Sequence, residues 1–456
     1  YTVGDILVAT IEAKDGLGQR KTYGGDYFFA RLMKTNDAGE ILKGGVACDV
    51  VDQGDGTYTV SVPLLWSGRS TLFADLVHPS EAIVYLVRES ASGFGTGVHF
   101  VSTYPSGEEV HCNVGLQPRS SLCDESVPEK GVTWLCFPTS NGTCPGVFNY
   151  TETKYDDEIS FVGITPLFEK EKNWKVPITK ENIVHVTDSA FRNTFLESLP
   201  VCETRSGLSE YSFENKLGKH SGFYLDNKWH SLQCKSRLNG LNPAECLTNK
   251  LLYLIGDSTM RQWYFSLKST LNLQDHPEAL QGRPGQDIWQ VSRVGYQPEY
   301  NITIFYRAHG LPLHNPGPFG AHPFIVDTLK NIQSQNSSKT LVVINLALHF
   351  LLVDPIYYMQ RVDAVKRSVI QLQQRSPGIR IFIRGCIRHR NTIKVVPTEW
   401  YSYRLCKILR KTFEVVPDVG FIDVWSMTTV FPNEHDIHPE YHLVTGHVNN
   451  FLSYVC

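Results

Sequence analysis

Residues 254–260 read Leu-Ile-Gly-Asp-Ser-Thr-Met and place a serine where a short apolar run changes into a helical pattern. We expect Gly256 to allow a tight turn and Ser258 to lie just before a helix. Open α/β sheets bind ligands beyond the carboxyl ends of their strands, and a helix N-terminus offers unpaired backbone N–H groups and a positive dipole end. Both features would stabilise an oxyanion beside a serine nucleophile. Asp257 and Ser258 are also good N-cap residues, so on this segment alone a capping role stays open.

A second segment, residues 434–439, reads Glu-His-Asp-Ile-His-Pro and precedes the last helical pattern. A nucleophilic serine needs a base, and the base needs a carboxylate that orients it. Asp436 and His438 can supply both groups from one loop. We therefore predict that Ser258, Asp436 and His438 form a catalytic triad. Three other histidines lie nearby, and we expect the last two on or beside the closing helix: His435, His442 and His447.

Strand and helix patterns alternate from residue 198 to the end of the chain. The strand segments are 251–255, 301–306, 340–346, 379–384 and 420–424, and the helical segments are 260–273, 356–375, 401–414 and 444–455. This alternation indicates a parallel sheet with helices on both faces. In such a sheet, the strand that ends at residue 255 would present Ser258 at the carboxyl edge.

The first 105 residues contain short strand patterns separated by Gly and Asp turns. The strand segments are 3–13, 27–33, 46–51, 58–62 and 70–76. Short strands at regular spacing predict an antiparallel β-sandwich. Residues 106–197 are rich in Cys, Pro, Gly and charge, and we interpret them as a disulfide-stapled connector.

The chain contains 11 cysteines and four N-x-[ST] sequons, at Asn141, Asn149, Asn301 and Asn336. Together they favour the secretory pathway. The absence of C-x-x-C pairs argues against a zinc site, and we predict no metal. We expect a local disulfide framework, whose pairing stays open, among Cys112, Cys123, Cys136 and Cys144. The odd count predicts one unpaired thiol, for which Cys386 is our candidate.

The formal net charge is -3, with no long run of one sign. This argues against a nucleic-acid binder and against a polybasic membrane anchor. The chain begins at Tyr1, so a signal peptide or a membrane anchor would lie outside this sequence.

Three resemblances follow from these segments. Residues 24–27 (Gly-Gly-Asp-Tyr) and 55–60 (Asp-Gly-Thr-Tyr-Thr-Val) resemble a filamin-type immunoglobulin repeat. The serine and histidine segments resemble the SGNH/GDSL serine esterases. Over nearly the whole chain, the order of sandwich, Cys-rich connector and Gly-Asp-Ser-Thr-Met-Arg-Gln-Trp resembles the neurexophilin and PC-esterase domain family. Residues 222–229, Cys234 and Cys246 match the entry to such domains.

The resemblance implies a multidomain protein. Residues 1–105 would form an all-β immunoglobulin/filamin-like sandwich, 106–197 the connector, and 198–456 an α/β/α SGNH-hydrolase-like domain related to flavodoxin. It also implies that Ser258 attacks an acyl carbon while His438 accepts the proton of its hydroxyl. Asp257 would orient the turn.

The sequence departs from the superfamily pattern at the acid and at the oxyanion hole. Asp436-Ile437-His438 is one residue shorter than the usual D-x-x-H, so Asp423, at the end of the last strand, is a substitute acid. The usual oxyanion glycine has no clear match; Gly310 is the best placed, with Arg307 as a charged alternative. The usual G-x-N-D is absent, and the nearest Asn at a strand end is Asn345, for which a turn or capping role stays open.

The relatives implied by this resemblance move acetyl groups onto or off sugars. We therefore expect a glycan O-acetyltransferase that acts through an acyl-Ser258 intermediate, with sialic acid as one candidate acceptor sugar. Acetyl-CoA is the expected acyl donor, no cofactor is expected to bind tightly, and the partner would be a glycan or a sialylated glycoprotein in the Golgi lumen or outside the cell. The alternatives are a carbohydrate O-acetyl esterase and a non-catalytic secreted binding protein. The oligomeric state stays open.

Overall fold

The computed structural model describes residues 1–92, 98–103, 107–113, 121–144, 152–155, 167, 179–203, 220–238, 240–275, 292–310, 323–351, 355–388, 398–431 and 437–456. Within these ranges the protein has a mixed architecture of helices and several sheets. The predicted acid Asp436 and the sequon Asn149 lie outside the described residues.

The β-strands are distributed along both halves of the chain. They are β1 Ile6–Glu12, β2 Tyr27–Thr35, β3 Ile41–Ala47, β4 Asp49–Asp52, β5 Thr57–Pro63, β6 Gly68–His78, β7 Val98–Thr103, β8 Glu109–Asn113, β9 Cys123–Asp124, β10 Leu135–Cys136, β11 Glu152–Tyr155, β12 Ile183–Val186, β13 Gly222–Leu225, β14 Lys228–Ser231, β15 Leu251–Gly256, β16 Gln274–Asp275, β17 Arg293–Gln297, β18 Ile302–Ala308, β19 Thr340–Ile344, β20 Arg380–Arg384 and β21 Val419–Ile422.

The α-helices lie mostly in the second half of the chain. They are α1 Ser80–Ser92, α2 Phe191–Ser198, α3 Pro243–Cys246, α4 Ser258–Leu271, α5 Ile325–Asn331, α6 Pro355–Arg375, α7 Thr398–Phe413, α8 Trp425–Val430 and α9 Tyr441–Val455.

The N-terminal region consists of two antiparallel sheets around a shared core. One sheet has the order β1-β5-β4 and the other β12-β6-β2-β3-β13-β14. Side chains alternate as expected along β5, where Tyr58, Val60 and Val62 are buried. The two valines pack with Leu32 and Trp66 in one apolar cluster. The general expectation of packed antiparallel strands agrees with this arrangement.

The larger sheet extends past the predicted boundaries at residues 105 and 198. Strand β12 pairs with β6, and β13 pairs with β3, with Tyr224 opposite Gly45. Phe223 is fully buried in the N-terminal core. These added strands are only four residues long, and so short a segment carries little periodic pattern by itself. Residues 222–231 therefore belong structurally to the N-terminal sheet.

The Cys-rich region contains more regular structure than the connector we expected. It contributes β8 to β11 to a five-stranded antiparallel sheet of the order β11-β7-β8-β10-β9. Trp134 of this region is fully buried in the large C-terminal core. Gly131 packs so closely on α6 that an added Cβ would clash with the carbonyl oxygen of Gln360. This sheet is thus docked against the α/β region.

Four disulfides join eight of the cysteines, and the first two form the expected local framework: Cys112–Cys136, Cys123–Cys144, Cys202–Cys234 and Cys246–Cys456. The expectation of one unpaired thiol is wrong, because Cys48, Cys386 and Cys406 are all free. Cys386 is unpaired, as expected.

The C-terminal region is built on a seven-stranded sheet of the order β16-β17-β18-β15-β19-β20-β21. The five strands from β18 to β21 in this order are parallel, and β16 and β17 form an antiparallel edge. All five residues of β19 are buried, as expected for a strand covered on both faces. The chain leaves β15 for β18 on one side and later returns to β19 on the other. The sheet therefore has its topological switch point at β15, where open α/β sheets bind ligands.

Candidate active site

The turn from β15 into α4 is shaped by close packing at Gly256. An added Cβ there would lie 2.6 Å from Cγ of Met260 and 3.1 Å from Cβ of Asn345. Gly256 is not among the residues with positive φ, so it provides space rather than an unusual backbone conformation. Asp257 is the N-cap of α4, and its Oδ1 accepts hydrogen bonds from the backbone N–H (2.9 Å) and the hydroxyl (2.5 Å) of Thr259. The cap makes Ser258 the first residue of the helix.

Ser258 and His438 meet at this turn although they are 180 residues apart. Oγ of Ser258 lies 2.8 Å from Nε2 of His438, a hydrogen-bond distance. Ser258 is only 9% exposed, whereas His438 is an exposed residue. In the tautomer that has its proton on Nδ1, the imidazole accepts a hydrogen bond from the serine hydroxyl. This is the geometry that a general base needs in order to activate a serine.

Of the two candidate acids, only Asp423 lies among the described residues. Asp436 lies outside the described residues. Asp423 binds the first turn of α8, since its carboxylate accepts from the N–H of Trp425 (2.9 Å) and from the hydroxyl of Ser426 (3.0 Å). Both of its oxygens thus accept hydrogen bonds from the start of α8.

Gly310 and Asn345, two of the predicted oxyanion residues, lie at the carboxyl edge beside the serine turn. The residue before Gly310, His309, donates its backbone N–H to the carbonyl of Gly256 (3.1 Å). The N–H of Asn345 donates to the carbonyl of Ile255 (2.9 Å), and its side-chain amide donates to the carbonyl of Arg384 (3.3 Å). Asn345 therefore ties β15 to β20 behind the turn.

Arg307 makes its contacts away from the serine turn. Its guanidinium donates to the carbonyls of Arg293 (3.4 Å) and Tyr306 (3.1 Å) and lies over the ring of Phe305. The neighbouring Tyr306 points to the other face of the sheet, where its hydroxyl reaches the carbonyl of Asp257 (3.3 Å). Among the described contacts, those of Arg307 do not reach Ser258.

A buried histidine pair lies beside the same turn. Nε2 of His309 is 2.9 Å from Nδ1 of His349, and Nδ1 of His309 is 2.5 Å from the carbonyl oxygen of Gly310. Because a carbonyl can only accept, Nδ1 of His309 must carry a proton. Burial, followed by the charge of His309, lowers the pKa of His349 well below its ordinary value, so His349 is neutral at pH 7. The pair joins the segments after β18 and β19.

Two buried side chains of opposite charge complete the site. Asp257 and Arg384 are each at most 1% exposed. Burial alone would raise the pKa of Asp257, but Arg384 and then His349 outweigh it and hold that pKa below its ordinary value. Burial lowers the pKa of Arg384, and Asp257 opposes this effect. Oδ2 of Asp257, Oδ1 of Asn345 and Nε and Nη2 of Arg384 have no hydrogen-bond partner among the described residues.

No catalytic or positioning role was predicted from the sequence for His309, His349 or Arg384. The available signal was their position, because His309 directly follows β18 and Arg384 ends β20. Carboxyl ends of neighbouring parallel strands meet at one edge of a sheet. A polar residue at each strand end is therefore a candidate for the same site.

The prediction of a secretory compartment is supported in part. Asn141 and Asn301 are exposed, as glycosylation would require, whereas the side chains of Asn149 and Asn336 are not described. Four disulfides are typical of proteins that fold in the secretory pathway. In the part of the chain that is described, no helix has the length and apolar character needed to span a bilayer. Within the same part, no three His, Cys, Asp or Glu side chains are grouped as metal ligands.

Two family models match the chain. Residues 16–162 match the neurexophilin model. Residues 229–456, half of the chain, match the model described as NXPE family member 4-like, C-terminal domain. The second match includes β15, the Gly256-Asp257-Ser258 turn and His438, and therefore the whole geometry described above. The chain belongs to the NXPE family, whose C-terminal domain is PC-esterase-like.

Proposed function

We propose that this protein is a serine-dependent O-acetyltransferase that moves an acetyl group onto a sugar hydroxyl. The observation that supports this proposal most strongly is the 2.8 Å contact between Oγ of Ser258 and Nε2 of His438 at the switch point of the parallel sheet. A neutral serine is a weak nucleophile, and an adjacent base is what activates it.

The proposed reaction has two halves. In the first half, Oγ of Ser258 bonds to the acetyl carbon of acetyl-CoA, the carbon–sulfur bond breaks, and His438 passes the serine proton to the departing thiolate. In the second half, a sugar hydroxyl attacks the acetyl-serine, His438 takes the hydroxyl proton, and that proton returns to Oγ as the ester bond to Ser258 breaks. The net change transfers one acetyl group from sulfur to oxygen.

The roles of the surrounding groups follow from their positions. We assign the oxyanion to two backbone N–H groups, that of Ser258 at the positive end of α4 and that of Gly310 after β18. Asp436 orients His438 in this proposal. Asp257 and Asn345 hold the turn and the strand ends in place, and Arg307 has no assigned role.

The transferase and esterase alternatives share one acyl-enzyme and differ in what attacks it. An esterase uses water as the acceptor, so it releases free acetate. The buried position of Ser258 favours the transferase, because limited access of water protects an acyl-serine against hydrolysis. Sialic acid as the acceptor and the Golgi lumen as the compartment belong to this proposal.

The neurexophilin match favours a second candidate function, a non-catalytic secreted binding protein. The two functions make opposite predictions about Ser258. The purified protein is incubated with acetyl-CoA and its intact mass is measured, with Ser258→Ala as the control. We expect the mass of one added acetyl group on the wild type alone, and its discharge onto a sialylated glycan. An unmodified wild type would support the binding protein, and discharge entirely as free acetate would establish the esterase.

A further inference from the structure

A cleft of about 990 Å³ lies between the N-terminal sheet and the last helix. One wall is the β13–β14 hairpin, with Tyr224 and Trp229. The other wall is α9, with His442 and Asn449. Two regions that are distant in sequence thus enclose a space whose lining does not include Ser258 or His438.

The α9 wall is polar where the packing of a helix on a hairpin would lead us to expect apolar residues. His442, Gly446, Asn449 and Ser453 recur at spacings of three and four, so they lie on one face of the helix. A helix face that only packs against a sheet is normally an apolar stripe. Imidazole, amide and hydroxyl groups can each donate or accept hydrogen bonds, as sugar hydroxyls require.

The hairpin wall contains a buried hydroxyl without a partner. Tyr224 is 6% exposed, and its Oη has no hydrogen-bond partner among the described residues. Gly446 of α9 faces this atom, and a Cβ added there would lie 3.3 Å from it. An unsatisfied buried hydroxyl costs about 1–3 kcal/mol. Its place in a cleft wall points to a ligand that supplies the missing hydrogen bond.

Aromatic rings beside polar groups give the cleft the character of a sugar site. Trp229 is half-buried, and its ring lies edge-on to that of Tyr224, with 5.1 Å between centroids. Phe431 lines the same space. Such rings offer flat apolar surfaces to the C–H faces of a sugar, while the α9 side chains offer partners for its hydroxyls.

The cleft begins next to the proposed catalytic base. Glu440, two residues after His438, lines one end, and Ser453 lines the other. At the helical rise of 1.5 Å per residue, the distance between these positions is about 20 Å. A ligand longer than one sugar ring can therefore lie along α9 with one end near His438.

We propose that this cleft binds the acceptor glycan, and that the β13–β14 hairpin of the N-terminal sheet supplies half of the acceptor site. This inference rests on the proposed function, since it names the binding site for the acceptor of that reaction. It gives the N-terminal region a role in acceptor choice without a residue in the triad.

Binding is measured directly on Ser258→Ala protein, so that no turnover occurs. Sialyllactose is the probe, followed by saturation-transfer NMR, with lactose in parallel. We expect Trp229→Ala to weaken binding by about tenfold or more, the size of one lost contact of about 1.4 kcal/mol. Asn449→Ala, on the exposed face of α9, tests the opposite wall without risk to the core. Tyr224→Phe removes only the unpartnered hydroxyl and should weaken binding several-fold.

Tyr264→Phe is the matched control, because Tyr264 is also buried with an unpartnered hydroxyl but lies on α4 away from the cleft. Its binding should equal that of the parent. Undiminished binding in both Trp229→Ala and Asn449→Ala would overturn the inference. A failure of both sialyllactose and lactose to bind the parent protein would also overturn it. The acetyl-serine assay on the wild type reports separately on the proposed function, so that either idea can fail alone.

Discussion

The two halves of the molecule each bury a cluster of charged side chains, and the clusters differ in how completely they are paired. In the N-terminal region, Nζ of Lys21 lies 2.7 Å from Asp26 and 3.1 Å from both Glu81 and Ser80. Burial lowers the pKa of Lys21, but hydrogen bonds to Asp26 and Glu81 outweigh it and leave that pKa raised. Glu81 is the exposed member of this cluster; burial would raise its pKa, but hydrogen bonds from its own backbone N–H, then from Tyr23 and Lys21, outweigh burial and hold that pKa at about 2.

In the C-terminal region, Asp257, Asn345 and Arg384 keep polar atoms without partners among the described residues. Buried polar groups are normally satisfied, and an unsatisfied one costs stability. The contacts of the paired cluster given above involve no residue of the candidate site, whereas the incompletely paired cluster lies directly behind Ser258. The difference indicates that the first cluster stabilises the fold, and that the second is retained for the site it supports.

The largest expected effect is on activity at the Ser258–His438 pair, in front of the incompletely paired cluster. Ser258→Ala and His438→Ala should each lower acetyl transfer by several orders of magnitude, because triad members act as a unit. Ser266→Ala is the matched control, since Ser266 is a buried serine on the same helix whose hydroxyl contacts Thr445. Acetyl-CoA consumption is the measurement. Full activity of Ser258→Ala would remove the serine from the mechanism.

The second prediction separates the two candidate acids. Asp436→Asn should lower activity by about 10²–10⁴-fold if it orients the base. Asp423→Asn should leave both activity and stability near those of the wild type, because the Asn side chain can still accept a hydrogen bond at the start of α8. Rates and urea unfolding curves of the two variants are compared. A far larger loss of activity in Asp423→Asn would reverse the assignment.

The third prediction concerns the paired cluster. Lys21→Met leaves the buried Asp26 without its main cation, which typically lowers the free energy of unfolding by about 3–5 kcal/mol. The acetyl-serine reaction of the protein that remains folded should not change. The exposed Lys14→Met is the control and should unfold like the wild type. Loss of the reaction in well-folded Lys21→Met protein would show that the N-terminal cluster takes part in the site.

The smallest expected effect is the pH dependence contributed by His349. The pKa of His349 is lowered in the folded chain and is about 6.5 in the unfolded chain. Its contribution to the free energy of unfolding is therefore fully present above pH 6.5 and is lost as the pH falls below 6.5. Between pH 7 and pH 5 the loss should be about 2 kcal/mol. His349→Gln should remove this part of the slope in urea unfolding measured against pH, although His309, Asp257 and His438 surround the position. An identical slope in both proteins would mean that the pKa of His349 is the same in the folded and the unfolded chain.

Helices and strands with a clear apolar run or hydrophobic periodicity could be predicted from the sequence, and those without such a pattern could not. The strand predicted at residues 251–255 is Leu251–Gly256, and the helix predicted at 356–375 is Pro355–Arg375. Residues 222–231 fell within the predicted C-terminal domain with no strand pairing predicted for them, and the structure places them in the N-terminal sheet as the β13–β14 hairpin. Its strands are four residues long, and their pairing with β3 depends on a partner about 180 residues earlier in the chain. Local periodicity contains no information about such a partner.

The sequence by itself determined the candidate nucleophile and base. Both lie in short local patterns, Gly-Asp-Ser after an apolar run and Asp-x-His near the end of the chain, and few residue types can act as a nucleophile or as a base. It also indicated the secretory disulfides and the order of antiparallel and parallel regions. Only the tertiary structure decided that Ser258 and His438 are 2.8 Å apart, that His309 pairs with His349, and that a hairpin of the N-terminal sheet faces α9 across a cleft. Each of these depends on contacts between residues about 40 to 220 positions apart, which the packing of the core sets and no local pattern encodes.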